Sequence, residues 1–161
     1  MTEENLTLYM PYIKEAYRSF ETPDFSFAKK TLSARPYDRL IKVLRNYAAI
    51  EEHTQGEEDV CFSYFLKGRA ALWKLDLSIV GPFAMFVRLS NSINRQDFLH
   101  HRSGDLIDFE RKIIDTIRAG GIKFMTCDEL ETKVPVTLVN TPKEEVSLYQ
   151  TLFTDRPVPW S

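Results

Sequence analysis

The chain has 161 residues, a common size for one folded domain, and we predict a single domain over residues 1–161. A hydrophobic fraction of 43%, with 11 Phe and 7 Tyr residues, is enough for a sizeable core. The formal net charge is −2, from 21 basic and 23 acidic side chains. This argues against a dedicated nucleic-acid binder, because such proteins usually carry a basic excess.

The spacing of apolar residues predicts two helices in the first third of the chain. The first begins near Pro11, because proline is favoured in the first turn of a helix. A loop follows over residues 21–33, with Phe25 and Phe27 turned inward. The second helix runs from about Pro36 to Glu51 and has a basic face opposite its apolar stripe, the ordinary pattern of an amphipathic helix.

After a polar break at residues 51–59, the apolar period changes from that of a helix to that of a strand. Alternating runs cover residues 60–66, 71–79 and 83–89, with turn residues between them. The middle run is the clearest half-buried strand, apolar on one face and solvated on the other. Three successive strands with short turns predict an antiparallel meander over about residues 59–90.

The second half of the chain alternates short elements. A third helix is predicted with Ser103 or Asp105 as its N-cap and Gly120–Gly121 at its end, followed by a short strand at 122–125. Thr126 fits the capping-box pattern of a short helix. Together with the meander, these helices predict an α+β fold, in which the sheet packs against the N-terminal and central helices and a short mixed segment follows.

That C-terminal segment is predicted to hold one more strand and one more helix. Val134, Val136 and Leu138 alternate as in a strand. A helix is predicted to begin at Thr141, with Val146, Tyr149, Leu152 and Phe153 inward, and the prolines at 157 and 159 end it. Trp160 is expected to dock on the domain or to meet a partner.

One candidate site is the run of carboxylates around Gly56. Like charges repel, so this run stays open and negative, and it can attract a basic partner. An equally simple interpretation is a solvated charge run that only maintains solubility. The predicted partner-binding residues are Glu51, Glu52, Glu57, Glu58 and Asp59.

A second candidate site combines histidines with carboxylates, a set that can bind a metal or transfer protons. Its members are Asp97, His100, His101 and Asp105. Adjacent histidines point in different directions, and acids near a helix N-terminus are explained by the helix dipole. We therefore predict no catalytic residue, no metal and no cofactor, and keep this set as the alternative polar site.

The two cysteines, Cys61 and Cys127, lie in no zinc-like or CxxC spacing. Cys61 is expected to be a buried, inert thiol, and Cys127 is the better nucleophile candidate because it would begin a helix. This cysteine use and an acidic N-terminus without a signal-peptide pattern predict a cytoplasmic protein with no membrane partner.

The C-terminal quarter carries a recognisable pattern. Leu148–Asp155 combines a short apolar helix, a Leu-Phe pair and a Thr-Asp pair, and Pro157 and Pro159–Trp160 follow. This pattern resembles the C-termini of small bacterial immunity proteins, the cytosolic antidotes of secreted polymorphic toxins. Gly120–Ile122 and Asp128–Leu130 are also similar to segments of these immunity proteins. The resemblance implies a non-enzymatic protein that binds and blocks a cognate toxin, and it identifies no toxin-binding residue.

We therefore expect a protein-interaction domain of the immunity type, in which the acidic run attracts a basic toxin domain. The alternative is a small enzyme or a metal- or ligand-binding protein that uses the polar residues around His100. A third hypothesis is an oligomer-forming subunit whose aromatic side chains cover an interface.

Overall fold

The computed structural model describes residues 2–56, 59–69 and 71–160. In these ranges the helices are α1 (Thr2–Tyr17), α2 (Ser26–Ala34), α3 (Asp38–Leu44), α4 (Asp108–Ala119), α5 (Cys127–Leu130) and α6 (Leu148–Leu152). The strands are β1 (Ala49–Glu52), β2 (Cys61–Lys67), β3 (Leu72–Ser78), β4 (Phe83–Leu89), β5 (Phe98–Leu99) and β6 (Lys123–Phe124). Short 3-10 helices cover Arg95–Asp97 and Lys143–Glu145.

The strands form one sheet in the order β1-β2-β3-β4-β5, and all of these neighbours are antiparallel. β6 also pairs with β4, in parallel, near the opposite end of β4 from β5. The long strands β2, β3 and β4 are in register, so that Tyr64, Leu75 and Phe86 form one row across the sheet. The predicted α+β fold with an antiparallel meander is confirmed.

One face of the sheet packs against helices α3 and α4. Leu75 and Phe86 on this face are fully buried. At its two ends, Tyr37 contacts Phe62 with ring centroids 5.8 Å apart, and Trp73 contacts Phe109 at 4.7 Å. Side chains on a strand alternate between the faces, so this face takes every second residue of the meander.

The other face was predicted to be solvated along β3, and that prediction is wrong. Asp76 is only 4% exposed and Ser78 is fully buried. The reason is that α6 covers this end of the sheet: the Ser78 hydroxyl donates to the carbonyl of Leu152 at 2.6 Å. The segment after α6 adds a backbone bond from the Val60 N–H to the Phe153 carbonyl at 2.7 Å.

Helix α1 begins at Thr2, so the predicted start at Pro11 is wrong, and Pro11 lies inside the helix. A proline inside a helix removes one backbone hydrogen bond. The helix persists because Tyr9, Ile13 and Tyr17 recur every four residues and are all buried. Tyr17 also donates its hydroxyl proton to the Thr151 carbonyl at 2.5 Å, which fixes α1 against α6.

The predicted loop at 21–33 is wrong over most of its length, because Ser26–Ala34 forms α2. The Asp24 carboxylate accepts from the Ser26 N–H at 2.9 Å at the start of this helix. Phe27 packs on the Tyr17 ring at 5.1 Å, whereas Phe25, also predicted inward, is 41% exposed.

The second predicted helix is shorter than expected. It ends at Leu44, and residues 49–51, the end of the predicted helix, belong instead to β1. Pairing with β2 decides this, because Ile50 lies opposite Leu66 and Glu51 opposite Phe65 in the antiparallel ladder. Tertiary pairing of this kind overrides weak local propensity.

The C-terminal half follows the prediction in part. Thr126 caps α5 as predicted, since its hydroxyl accepts from the Glu129 N–H. α4 begins at Asp108, later than predicted. Its N-cap is Ile107, whose backbone N–H donates to the Glu110 carboxylate in the first turn at 3.0 Å. The left-handed φ of +82° at Gly121 fits the glycine signal at the end of α4.

Two further elements differ from the prediction. Val134, Val136 and Leu138 are buried in alternation, yet they form no strand. Pairing here is limited to one isolated antiparallel bridge between Lys133 and Ser147, and the Val136 N–H turns back to the Val134 carbonyl. The helix predicted from Thr141 begins only at Leu148, after the 3-10 helix. The four side chains predicted to face inward in that helix are nevertheless buried: Val146, Tyr149, Leu152 and Phe153.

Trp160 is docked on the domain rather than exposed. It is 7% exposed, and its ring meets those of Phe98 at 4.9 Å and Tyr149 at 5.5 Å. Its indole N–H donates to the Glu131 carboxylate at 2.9 Å. This contact holds the proline-containing tail against the side of the sheet that α6 covers.

An ion pair between a buried carboxylate and the half-buried guanidinium of Arg88 joins α4 to the sheet. Glu110 is fully buried and accepts from the Arg88 guanidinium at 2.6 and 2.8 Å and from the Trp73 indole N–H at 2.8 Å. Removing one partner of such a pair leaves a buried charge without compensation.

We expect Arg88→Met to lower the free energy of unfolding by about 3 kcal/mol, because it leaves the Glu110 carboxylate buried without a cation. Urea unfolding measures this change. Arg39→Met, at an exposed position of α3, is the matched control and is expected to have little effect. Equal stabilities for the two variants would contradict a structural role for the Arg88–Glu110 pair.

Candidate binding cleft

The predicted acidic run is divided by the fold. Glu51 and Glu52 lie on β1, the edge strand of the sheet, and Asp59 pairs in an isolated bridge with Thr154. Glu57 and Glu58 lie outside the described residues. The five predicted partner-binding residues are therefore placed only in part, and they do not form one loop.

The two edge carboxylates are paired with cations of the same chain. Glu51 lies 3.3 Å from the Lys67 ammonium and 2.9 Å from the His53 ring nitrogen. The hydrogen bonds from Lys67 and His53 hold the pKa of Glu51 below its ordinary value. Glu52 accepts a hydrogen bond from the Arg35 guanidinium. These pairs reduce the net negative charge that β1 presents to a partner.

A cleft of about 660 Å³ opens between α2 and the C-terminal segment. One wall is formed by Phe25, Ala28 and Leu32 at and beyond the start of α2. The facing walls come from residues 138–140 and from Asp59 and Val60 before β2. The elements that form the cleft are distant in the sequence, and α6 and the segment after it hold them together.

The rim of the cleft exposes large apolar side chains. Val139 is 81% exposed and Phe25 is 41% exposed, while Leu138, beside Val139, is buried. Tyr17 also lines the cleft, and its ring meets that of Phe25 at 5.8 Å. A partner that enters this cleft would therefore remove apolar surface from water, which is the main favourable term in most associations.

Charged groups lie at opposite sides of the cleft. Lys29 of α2 is on one side, and Asp59 and Asp155 are on the other. Asp155 has a structural role, because its carboxylate accepts from the Asn140 N–H at 2.8 Å and from the Thr141 hydroxyl at 2.6 Å. Among the described residues, no cation lies within ion-pair distance of the Asp59 carboxylate.

Gly56 lies close to α2. A Cβ atom added at Gly56 would lie 3.3 Å from the Leu32 side chain, tighter than most contacts of real Cβ atoms. Glycine therefore permits the backbone to approach the Leu32 side chain closely at this position. This approach explains why one end of the acidic run is part of the cleft wall.

The alternative polar site is assembled only in part. His100 and Asp105 line a separate pocket of about 260 Å³, together with Arg88 and Arg95. Asp97 instead accepts from the Asn94 N–H at 2.9 Å, and His101 is exposed. Within residues 2–56, 59–69 and 71–160, no group of three His, Cys, Asp or Glu side chains could hold a metal ion.

His100 is also constrained by its surroundings. Its Nδ1 accepts from the Arg102 N–H at 3.1 Å. Burial, with the positive charge of Arg102, lowers the pKa of His100 below its ordinary value. The imidazole is therefore neutral at neutral pH, with one ring nitrogen already occupied.

Asp76 was not identified from the sequence as a buried carboxylate close enough to Asp59 to feel its charge. Asp76 is 4% exposed, and one of its oxygens lies 3.6 Å from the Lys74 ammonium while the other has no hydrogen-bond partner in the structure. Burial raises the pKa of Asp76; the charge of Lys74 and a hydrogen bond from Ser63 oppose this rise, and the charge of Asp59 adds to it. The alternating pattern of β3 placed this residue on a solvated face, so no sequence signal indicated its burial.

This burial predicts how stability depends on pH at Asp76. The pKa is raised in the folded state, so the fold binds this proton more tightly than the unfolded chain. Protonation of Asp76 therefore contributes to the free energy of unfolding in full below the unfolded pKa of about 3.9. This contribution is lost as pH rises through the folded pKa. Asp76→Asn is expected to stabilise the fold at neutral pH by about 1 to 2 kcal/mol.

Urea unfolding of wild type and Asp76→Asn, at acidic and at neutral pH, measures this effect. The two proteins should differ least at acidic pH and most at neutral pH. Asp115→Asn, at an exposed position of α4, is the control and should follow the wild type. An Asp76→Asn variant that is less stable than wild type at neutral pH would contradict the prediction.

Neither thiol has the setting of a nucleophile. Cys127 is the first residue of α5, as predicted, yet it is 6% exposed, and burial raises its pKa to about 11. Cys61 is 2% exposed, and burial also raises its pKa. A buried thiol in its protonated form is unreactive.

We therefore expect no reaction of the native protein with a thiol reagent such as Ellman's reagent at mildly alkaline pH, and reaction of both cysteines in denaturant. Absorbance of the released thiolate counts the reacting groups. One thiol that reacts rapidly in the native protein would show that Cys127 is more accessible and more acidic than its burial implies.

Comparison with protein-family models, with curated proteins and with solved structures finds no significant match to this chain. None of the helices in the described part of the chain has the length and apolar character needed to cross a bilayer.

Proposed function

We propose that this protein is a protein-binding domain of the immunity type, which binds a cognate toxin and blocks it. The observation that carries the proposal is the cleft beside α2, with Phe25 and Val139 exposed at its rim. The resemblance of residues 148–160 to immunity proteins supports the same function, and two residues of that segment, Gln150 and Asp155, line the cleft.

The cleft has the properties of an interface centre. Binding energy at protein interfaces is concentrated where a few large side chains fill desolvated pockets, with polar groups around them. Here the apolar surface of Phe25 and Val139 is bordered by the charged groups Lys29 and Asp59. Burial of apolar area contributes about 25 cal/mol per Å², so exposed apolar groups of this size favour a partner.

The acidic residues have a secondary role in this proposal. Glu51, Glu52, Glu57, Glu58 and Asp59 would attract a basic toxin domain over a distance and raise its association rate. The internal pairs of Glu51 and Glu52 weaken this effect at β1. We therefore assign the main electrostatic attraction of the partner to Asp59, the residue at the end of the run that lines the cleft.

The test is affinity capture from cells of the source organism with wild type, Val139→Asp and Val43→Asp. Val139 is 81% exposed, so its substitution is expected to leave the fold intact, which a thermal melt verifies. Val43, on α3, is 41% exposed and lies outside the cleft, so it is the matched control. We expect one stoichiometric partner that binds Val139→Asp about tenfold or more weakly.

The captured partner is then expressed alone and together with each variant. An immunity function requires that the partner alone stops growth and that wild type and Val43→Asp restore it, while Val139→Asp does not. A harmless partner would contradict the antidote function, and a partner bound equally by Val139→Asp would contradict the cleft as its site. Absence of any partner would contradict the proposed function as a whole.

The second candidate function is binding of a metal or small ligand at the pocket of His100 and Asp105, as in a small enzyme. The observation in its favour is that these two predicted residues do share one pocket. Zinc, manganese and nickel, added one at a time, would raise the melting temperature if they bound the native state. Unchanged melting with all three would contradict a metal site there.

A further inference from the structure

We propose that the cleft beside α2 binds a basic segment of the partner, in which an apolar side chain enters the cleft and a neighbouring Lys or Arg pairs with Asp59. This inference rests on the proposed function, because it names the chemistry of the partner at the same site. It goes beyond that function by assigning the specificity of the cleft to one carboxylate.

The apolar part of the segment is set by the walls of the cleft. Leu32 from α2, Val60 before β2 and Leu138 from the C-terminal segment all line the cleft. The volume of about 660 Å³ lies within the range of roughly 300 to 1,000 Å³ that is usual for ligand pockets. A leucine or an aromatic side chain of a partner would fit this space against these apolar walls.

The charge of the segment is set by the acidic side of the cleft. Asp59 is half-buried, and no cation of the described residues lies within ion-pair distance of its carboxylate. The oxygens of Asp155, in contrast, already accept hydrogen bonds from Asn140 and Thr141. Lys29 is the one cation among the described residues that line the cleft. The sequence also places Glu57 and Glu58 directly before Asp59.

Asp76 gives an additional reason for a basic occupant. The carboxylates of Asp59 and Asp76 repel each other, and this repulsion contributes to the raised pKa of Asp76. A bound Lys or Arg at Asp59 would offset that repulsion in a partly desolvated place, where a charge pair is stronger than at an open surface. An acidic segment would add a third negative charge to the same region and is therefore disfavoured.

The test titrates isotope-labelled protein with three end-capped tetrapeptides and follows the amide signals by NMR. The probes are arginine–leucine–arginine–phenylalanine, its acidic counterpart with glutamate for arginine, and a basic peptide with serine for the apolar residues. We expect only the first peptide to shift the amide signals of Asp59, Val139 and Asn140. Asp59→Asn is expected to weaken its binding about two- to fivefold, and Asp115→Asn to leave it unchanged.

Each outcome decides the inference. Equal binding of the acidic peptide, or unchanged affinity of Asp59→Asn, would overturn the assignment of a basic segment. Equal binding of the serine peptide would overturn the apolar anchor, and no shift in the cleft with any peptide at millimolar concentration would overturn the site. Partner capture by the wild type is a separate readout, so a captured toxin together with a negative titration would reject this inference while the proposed function stands.

Discussion

The contact of the C-terminal segment with the start of β2 is the constraint on which most of the structure depends. The Val60 N–H bonds to the Phe153 carbonyl, and the Ser78 hydroxyl bonds to the Leu152 carbonyl. These bonds place α6 over a sheet face that would otherwise be in water. They accompany the burial of Asp76, and they hold Val60, which lines the cleft, next to the segment that carries the lining residues Gln150 and Asp155. The candidate site is thus a consequence of how the sheet is covered.

The elements predicted correctly are those whose signals are local. The meander follows from a period of two and short turns, and the Thr126 cap follows from side-chain bonds within one turn. The errors fall where distant contacts decide. β1 is a strand because β2 pairs with it, and α1 extends through Pro11 because Tyr9 packs on Phe83. Neither contact can be recognised in a short stretch of the sequence, because its two partners lie far apart along the chain.

The site was predictable only to a lesser extent. The acidic residues were recognisable as a charge run in the sequence. The sequence could not show that Glu51 and Glu52 pair with cations of the same chain, or that Asp59 lines the cleft. The rim residue Val139 gave no signal, because a single exposed valine is ordinary in a sequence. His100 and Asp105 do line the same pocket. Asp97, however, caps a short helix, and its spacing in the sequence did not distinguish this role from that of a metal ligand.

The position of β1 at the edge of the sheet has a consequence for solubility under crowded conditions. An edge strand presents unpaired backbone groups, and such an edge is a template on which copies of a protein can stack. β1 is four residues long and carries Glu51 and Glu52. A second copy that paired with β1 in parallel register would bring each of these carboxylates close to an identical charge, and like charges on neighbouring strands disfavour pairing. The acidic strand therefore opposes edge-to-edge growth of the sheet.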